Sequence, residues 1–243
     1  ARPLMHTPAR AGETLPSPAP LSQSAVTLSG MGCKLAGSPS SIASLRHAAA
    51  SASDLVGEVP LTRWDAHQFP DWLGHAAVPR TRHGAYIVGV ELFDPDLFEM
   101  SRSEVLAMDP QQRLVLETSA AALHDARSER KELMGSGAGV ALGILWNEFQ
   151  QVIAQSPIGR SVYAATGAAL SVASGRVSFV FGLHGPCCSF ETACSASLVA
   201  CDAGTRALRH AQCEAHLAAG VNAMLLQSTC LSMAIAGMTS AAG

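Results

Sequence analysis

The residues best placed to do chemistry run from Gly185 to Ala200, Gly-Pro-Cys-Cys-Ser-Phe-Glu-Thr-Ala-Cys-Ser-Ala-Ser-Leu-Val-Ala. This pattern predicts a buried strand over 187–190, a tight turn, and a helix of small residues from Cys194 to about His210. A thiol in the first turn of a helix faces backbone N–H groups without intrahelical partners and the positive end of the helix dipole, and both favour thiolate over thiol. Cys194 is therefore a candidate nucleophile. An apolar segment is also where structural cysteines are commonly buried, and the local pattern leaves both readings open. Along the expected helix Cys194, Leu198, Cys201, Thr205 and Leu208 share one face, and most other side chains are Ala, Ser or Gly. The helix is expected to be buried on nearly all sides, with Cys201, two turns in, as a structural cysteine. Two familiar nucleophile frames fail: an α/β-hydrolase elbow needs glycines where Thr192 and Ala196 stand, and a papain-like protease carries its cysteine near the mature N-terminus.

The elements that must position such a residue are legible on either side. Val26–Cys33 reads as a short strand ending in glycines, followed by a helix across Ser40–Ala52 started by Ser40 or Ser41. Residues 54–100, with four prolines and scattered aromatics, read as an irregular excursion over the surface. Asp109-Pro110 is a strong helix start, with the helix running from Gln111 to about Arg127. Gly139–Leu145 reads as a buried strand, Ser171–Gly175 as a short helix leading into Val177–Phe181, and Ala215–Val221 as another strand. Strands alternating with helices imply an α/β fold with a mainly parallel sheet covered on both faces.

Composition narrows the classes. The chain has 243 residues, 48% hydrophobic and only 14% charged, which predicts extensive burial. A net charge of −3 and no run of Lys and Arg give no footprint for nucleic acid. The seven cysteines, Cys33, Cys187, Cys188, Cys194, Cys201, Cys213 and Cys230, include no CxxC pair. That argues against a disulfide framework and a zinc site and for a reducing compartment, cytoplasm or plastid. No apolar run reaches the roughly 18 residues of a membrane span; the best candidate, Leu217–Leu226, is interrupted by Gly220 and Asn222. Residues 1–24, with five prolines among Ser, Ala and Thr, read as a disordered leader or linker, and their two arginines against one glutamate would also fit a transit-peptide remnant. Residues 25–243 form the folded region.

The run ETACSASLVA, Glu191–Ala200, resembles the active-site segment of β-ketoacyl synthases of the thiolase superfamily, usually DTACSSSLVA. VTLSGMGCKLAGS at Val26–Ser38, VPLTRWD at Val59–Asp65, FDPDLFEMSRSEVLAMDPQQRLVLET at Phe93–Thr118 and YAATGAALSVASGRVSFVFGLHGP at Tyr163–Pro186 agree in order and spacing. MDPQQR and SGRVSFVFGLHGP are similar to the modular ketosynthases of polyketide synthases and animal-type fatty acid synthases. The resemblance implies a thiolase-like layered αβαβα fold, of which these residues hold most of the N-terminal half. It implies decarboxylative Claisen condensation: Cys194 takes an acyl chain from an acyl carrier protein, with its own N–H as one oxyanion-hole donor, and yields it to the carbanion of a decarboxylated malonyl thioester. The substrates would ride on the carrier's phosphopantetheine, with no metal or redox cofactor, and the complete domain would be a homodimer through the nucleophile-bearing half.

The departures concern what completes the site. The family's two catalytic histidines lie in HGTGT and NIGH segments, and none of the nine histidines here stands in either. His184 is read as structural, and His210 and His216 as solvated. Family members continue beyond Gly243 into a second half of similar size, so the sequence reads as an N-terminal portion, inactive alone and left with a large exposed apolar face. Glu191 replaces the usual Asp, a methylene's change in an expected buried hydrogen bond. The rival readings are a non-catalytic scaffold or partner of a ketosynthase, against which Cys194 itself weighs, and a superfamily acyltransferase that does not decarboxylate.

Overall fold

Local capping chemistry sets several helix starts. In the computed structural model, which describes residues 25–37, 39–66 and 77–240, Ser41 caps α1 (Ile42–Ala50): its hydroxyl accepts the Ser44 N–H at 3.1 Å, and the Ser44 hydroxyl accepts the Ser41 N–H at 3.1 Å. The described part of 54–100 is irregular as expected, apart from a two-residue antiparallel pairing of β1 (Gly57–Glu58) with β2 (His83–Gly84) and short 3₁₀ turns at Val78–Thr81 and Asp96–Phe98. Ser101 caps α2 (Arg102–Ala107). Asp109 caps α3 (Pro110–Asp125), accepting the Gln111 N–H at 2.8 Å, and Pro110 takes the first helical position. There follow α4 (Arg130–Leu133), β3 (Gly139–Ile144), α5 (Glu148–Ala154), α6 (Ala164–Ala168), α7 (Leu170–Phe181), β4 (Cys187–Phe190), α8 (Ala196–Arg209), β5 (His216–Val221) and α9 (Gln227–Ile235).

The sheet is parallel, in the order β4-β3-β5. All six residues of β3 are buried, as an uninterrupted apolar run requires of a central strand. Alternation along β3 divides its neighbours. Val140, Leu142 and Ile144 pack with Val115 and Leu116 of α3 and with Ala173, Val177 and Phe181 of α7 in the main core. Gly143, on the other face, lies under α8. The α/β layering is thus present on both faces of the sheet. Between α2, α3 and α7 the buried Arg176 guanidinium donates to Gln112 at 2.7 Å and pairs with Glu104, so its charge is compensated where it is desolvated.

Four expectations are corrected. Val26–Cys33 forms no strand and joins no ladder among the described residues; it lies along α3, where a Cβ on Gly30 would come 2.3 Å from the Ala122 carbonyl oxygen and the Met31 N–H donates to Asp125 at 2.9 Å. Val177–Phe181 is not separate from the helix before it: Ala173, Val177 and Phe181 recur every four residues on the core face, and packing there overrides their β preference. β4 is not buried: among the described residues it is an edge strand, on which Cys187 and Cys188 are exposed. α8 is not buried all round either. Its buried stripe is Ala196, Ala200, Gly204 and Ala207, the side chains small enough to let the helix approach the sheet, while Leu198 and Cys201 turn outward. The proposed leader, residues 1–24, lies outside the described residues. Among the described residues no helix is long and apolar enough to cross a membrane.

Candidate active site

Cys194 stands where β4 becomes α8. The chain leaves the strand at Phe190, and within three residues it must reverse onto the sheet; Ala193 makes that turn at φ 54°, in the left-handed region that disfavours a Cβ. Such a conformation costs on the order of 1 kcal/mol and persists where the surroundings impose it. Cys194 is the middle residue of the short 3₁₀ turn Ala193–Ser195, two residues before the start of α8 and not inside its first turn as the sequence suggested. The turn is tied from within: the Ser195 hydroxyl donates to the Thr192 carbonyl at 2.8 Å and to the Thr192 hydroxyl at 3.0 Å. Ser195 supplies no side-chain cap to α8, and Cys194 is exposed. The result is a thiol at the tip of a strand–turn–helix corner, at the carboxyl end of a parallel strand, the end where open α/β sheets place their ligand sites.

The floor of that corner is built from glycine. Gly143 of β3 and Gly220 of β5 are register partners. A Cβ on Gly143 would lie 2.4 Å from the Ala196 carbonyl carbon and 2.5 Å from the Ser197 nitrogen; one on Gly220 would lie 2.4 Å from the Ser197 Cβ. The first turn of α8 therefore rests directly on the backbone of two strands. Glycine inside an apolar strand pattern signals such an approach, and it was the available clue to this floor.

The loops beyond the neighbouring strands are also fixed from beneath. The buried Glu148 carboxylate accepts the Leu225 and Leu226 N–H groups at 2.6 and 2.7 Å, and Gln111 bridges the Trp146 carbonyl and the Ala223 N–H. Sequence reasoning missed both residues, whose partners lie up to 112 positions away. Asp109, next to Gln111 and almost fully buried, is pushed up to about 6 by loss of water, only partly offset by its bonds to Gln111.

The other residues singled out in sequence do not gather at Cys194. Cys201 is exposed, contrary to its reading as a structural cysteine. Glu191 is exposed, so the expected buried hydrogen bond at that position is not made. His184 is exposed and its N–H donates to the Ser136 carbonyl, while His210 is exposed as expected. His216 is not solvated: it is half-buried against Gly139 and Gly204, and burial holds its imidazole below the usual value. Cys213 and Cys230 are buried, and desolvation pushes both thiols up. A cavity of about 760 Å³ beside Leu28, Leu123, Leu208 and His216 sits at the far end of α8 from Cys194, a helix length of about 20 Å, and takes no part in this corner. No cluster of His, Cys, Asp and Glu fit to hold a metal occurs among the described residues.

Comparison with known proteins places the chain in a family. The chain is 36% identical over 200 residues to the spectinabilin polyketide synthase system protein NorA of Streptomyces orinoci, covering 82% of this chain and 10% of that protein. It is 34% identical over 221 residues to the mycocerosic acid synthase-like polyketide synthase of Mycolicibacterium smegmatis, covering 90% and 10%. The chain thus spans about a tenth of the length of these relatives. Among solved structures it superposes on the oxazolomycin ketosynthase domain OzmH KS7 of Streptomyces albus JA3453 with a TM-score of 0.75 at 30% identity, over 86% of this chain and 37% of that one. A ketosynthase from module 6 of the bacillaene synthase of Bacillus subtilis 168 gives 0.74 at 28% identity, over 88% and 34%. The thiolase-like fold expected from the sequence is the fold of these neighbours. The family model of the β-ketoacyl synthase N-terminal domain matches residues 23–243, and the chain belongs to that family.

Proposed function

We propose that this chain carries the acyl-accepting half of a polyketide-type ketosynthase site, with Cys194 as the nucleophile. The Cys194 sulfur attacks the carbonyl of an acyl thioester on the phosphopantetheine of an acyl carrier protein, the tetrahedral oxyanion is held in part by the Cys194 N–H, and the carrier thiol leaves. A malonyl thioester then loses carbon dioxide, its carbanion attacks the acyl carbonyl, and the Cys194 thiolate is released. Neither step changes the oxidation state of the protein, and the only prosthetic group required is the carrier's phosphopantetheine. These 243 residues contain no HGTGT or NIGH segment, so decarboxylation is assigned to groups outside them, and the chain alone accepts acyl groups without extending them. In the complete domain two copies pair through the half that bears Cys194; the open edge of β4 and the outward Leu198 of α8 support that reading.

The observation that carries the proposal is the exposed Cys194 at the strained corner between β4 and α8, in a chain of this family. Incubation with an acyl-pantetheine thioester, followed by peptide mass spectrometry, is expected to place the acyl mass on Cys194. Cys194→Ala is expected to abolish it, whereas Cys201→Ala retains it. Acylation of Cys201 or Cys188 at an equal rate would overturn the assignment.

A further inference from the structure

We propose that Gly143 and Gly220 are positioning residues for Cys194: the paired gap they leave in the sheet sets how deeply the first turn of α8 seats, and so where the sulfur is presented. This rests on the reading of Cys194 as the acyl acceptor. Carbon atoms in contact sit about 3.5–4.0 Å apart, and a methyl group on Gly220 would be 2.4 Å from the Ser197 Cβ. Restoring contact distance requires the start of α8 to lift by about 1 Å, a displacement that costs a reacting group as much as roughly 100-fold. The two glycines differ in what they meet. Gly220 faces a side chain, so the volume can be moved across the interface; Gly143 faces the Ala196 carbonyl and the Ser197 nitrogen, backbone that no substitution removes. The effect reaches Cys194 along the backbone, from Ser197 through Ser195.

The test measures acyl loading of Cys194 from a pantetheine thioester, with thermal melting recorded for each variant. Gly220→Ala is expected to slow loading by about 10- to 100-fold. The double variant Gly220→Ala/Ser197→Gly returns the methyl's volume to the interface and is expected to recover loading to within about three-fold of the parent. Ser197→Gly is expected not to rescue Gly143→Ala. Gly175→Ala, whose added carbon would meet nothing within 4 Å, is the control and is expected to load as the parent does. Parent-like loading by Gly220→Ala, or a cooperatively melting double variant no better than the single one, overturns the proposal. Should Gly220→Ala not fold, the double variant alone decides: folding and loading support the proposal, and folding without loading, or no folding, overturns it. A parent chain that loads no acyl group on Cys194 refutes the function instead, and the seating of α8 is then read from the rates of Cys194 alkylation across the same variants.

Discussion

At the scale of single residues, reactivity and exposure separate the seven cysteines. Cys187, Cys188, Cys194 and Cys201 are all exposed, so alkylation order among these four isolates the effect of position from that of access. Limiting iodoacetamide near neutral pH is expected to modify Cys194 at least about ten-fold faster than the other three, with Cys213 and Cys230 slowest because burial raises their thiols. Equal labelling of the four exposed cysteines would remove the case for an activated thiol. Asp109 gives a second, independent prediction. Its carboxyl titrates near 6 in the folded chain and near its ordinary value of 3.8 when unfolded, so the folded state holds the proton more tightly; the stability it contributes is complete below about pH 4 and lost as pH rises through 6, on the order of 3 kcal/mol. Asp109→Asn keeps a good N-cap and removes the titration. Denaturant midpoints from pH 4 to 7 are expected to fall in the parent relative to the variant, and parallel curves would show that Asp109 is not desolvated. The corner that carries Cys194 and the helix start at Asp109-Pro110 were legible in the sequence because both are local, one a strand–turn–helix pattern and the other a cap. Glu148 and Gln111 were not, because a buried polar side chain is explained only by the distant amides it satisfies.

At the scale of elements, Glu148 ties the end of the loop between β5 and α9 to the start of α5, and its charge-assisted bonds to Leu225 and Leu226 are each of the stronger kind. Glu148→Ala is expected to cost about 2–3 kcal/mol in denaturant unfolding and to speed hydrogen exchange at the Leu225 and Leu226 amides, with Glu148→Gln intermediate. Unchanged exchange at those two amides would show that the loop is held by other means. The helices and strands themselves were readable to different degrees. The start of α3 and the apolar run of β3 declare themselves. The register of small residues on α8 does not, because Ala, Ser and Gly give no contrast between a buried and an exposed face; only the glycines opposite them decide which side goes down. The aromatic and β-branched run Val177–Phe181 misleads in the other direction, since its β preference is local and the pull of the core, through Ala173, Val177 and Phe181, is not.

For the whole molecule, the exposed apolar side chains predict association. Phe179 is 86% exposed, Val162 87% and Leu198 73%, and β4 offers an unpaired edge among the described residues. Light scattering coupled to size exclusion is expected to show the 243-residue chain self-associated at micromolar concentration, and Leu198→Lys with Phe179→Lys to reduce that association. A monomer that melts cooperatively would refute it. The layered sheet-and-helix order was legible at this scale from the alternation of strand and helix patterns. The outward faces were not, because an apolar residue that is exposed in one chain has the same sequence signature as one buried in its core.

The left-handed backbone of Ala193 has a thermodynamic consequence of its own. Replacing it with glycine would relieve strain of about 1 kcal/mol in the folded chain, yet would enlarge the entropy of the unfolded chain by a similar amount, so Ala193→Gly is expected to melt within about 1 kcal/mol of the parent. What changes is the breadth of the folded basin: glycine at φ 54° can drift where alanine cannot, and the sulfur one residue later inherits that drift. Equilibrium stability is therefore blind to this residue, and its effect would register only in the spread of rates with which Cys194 meets a thioester.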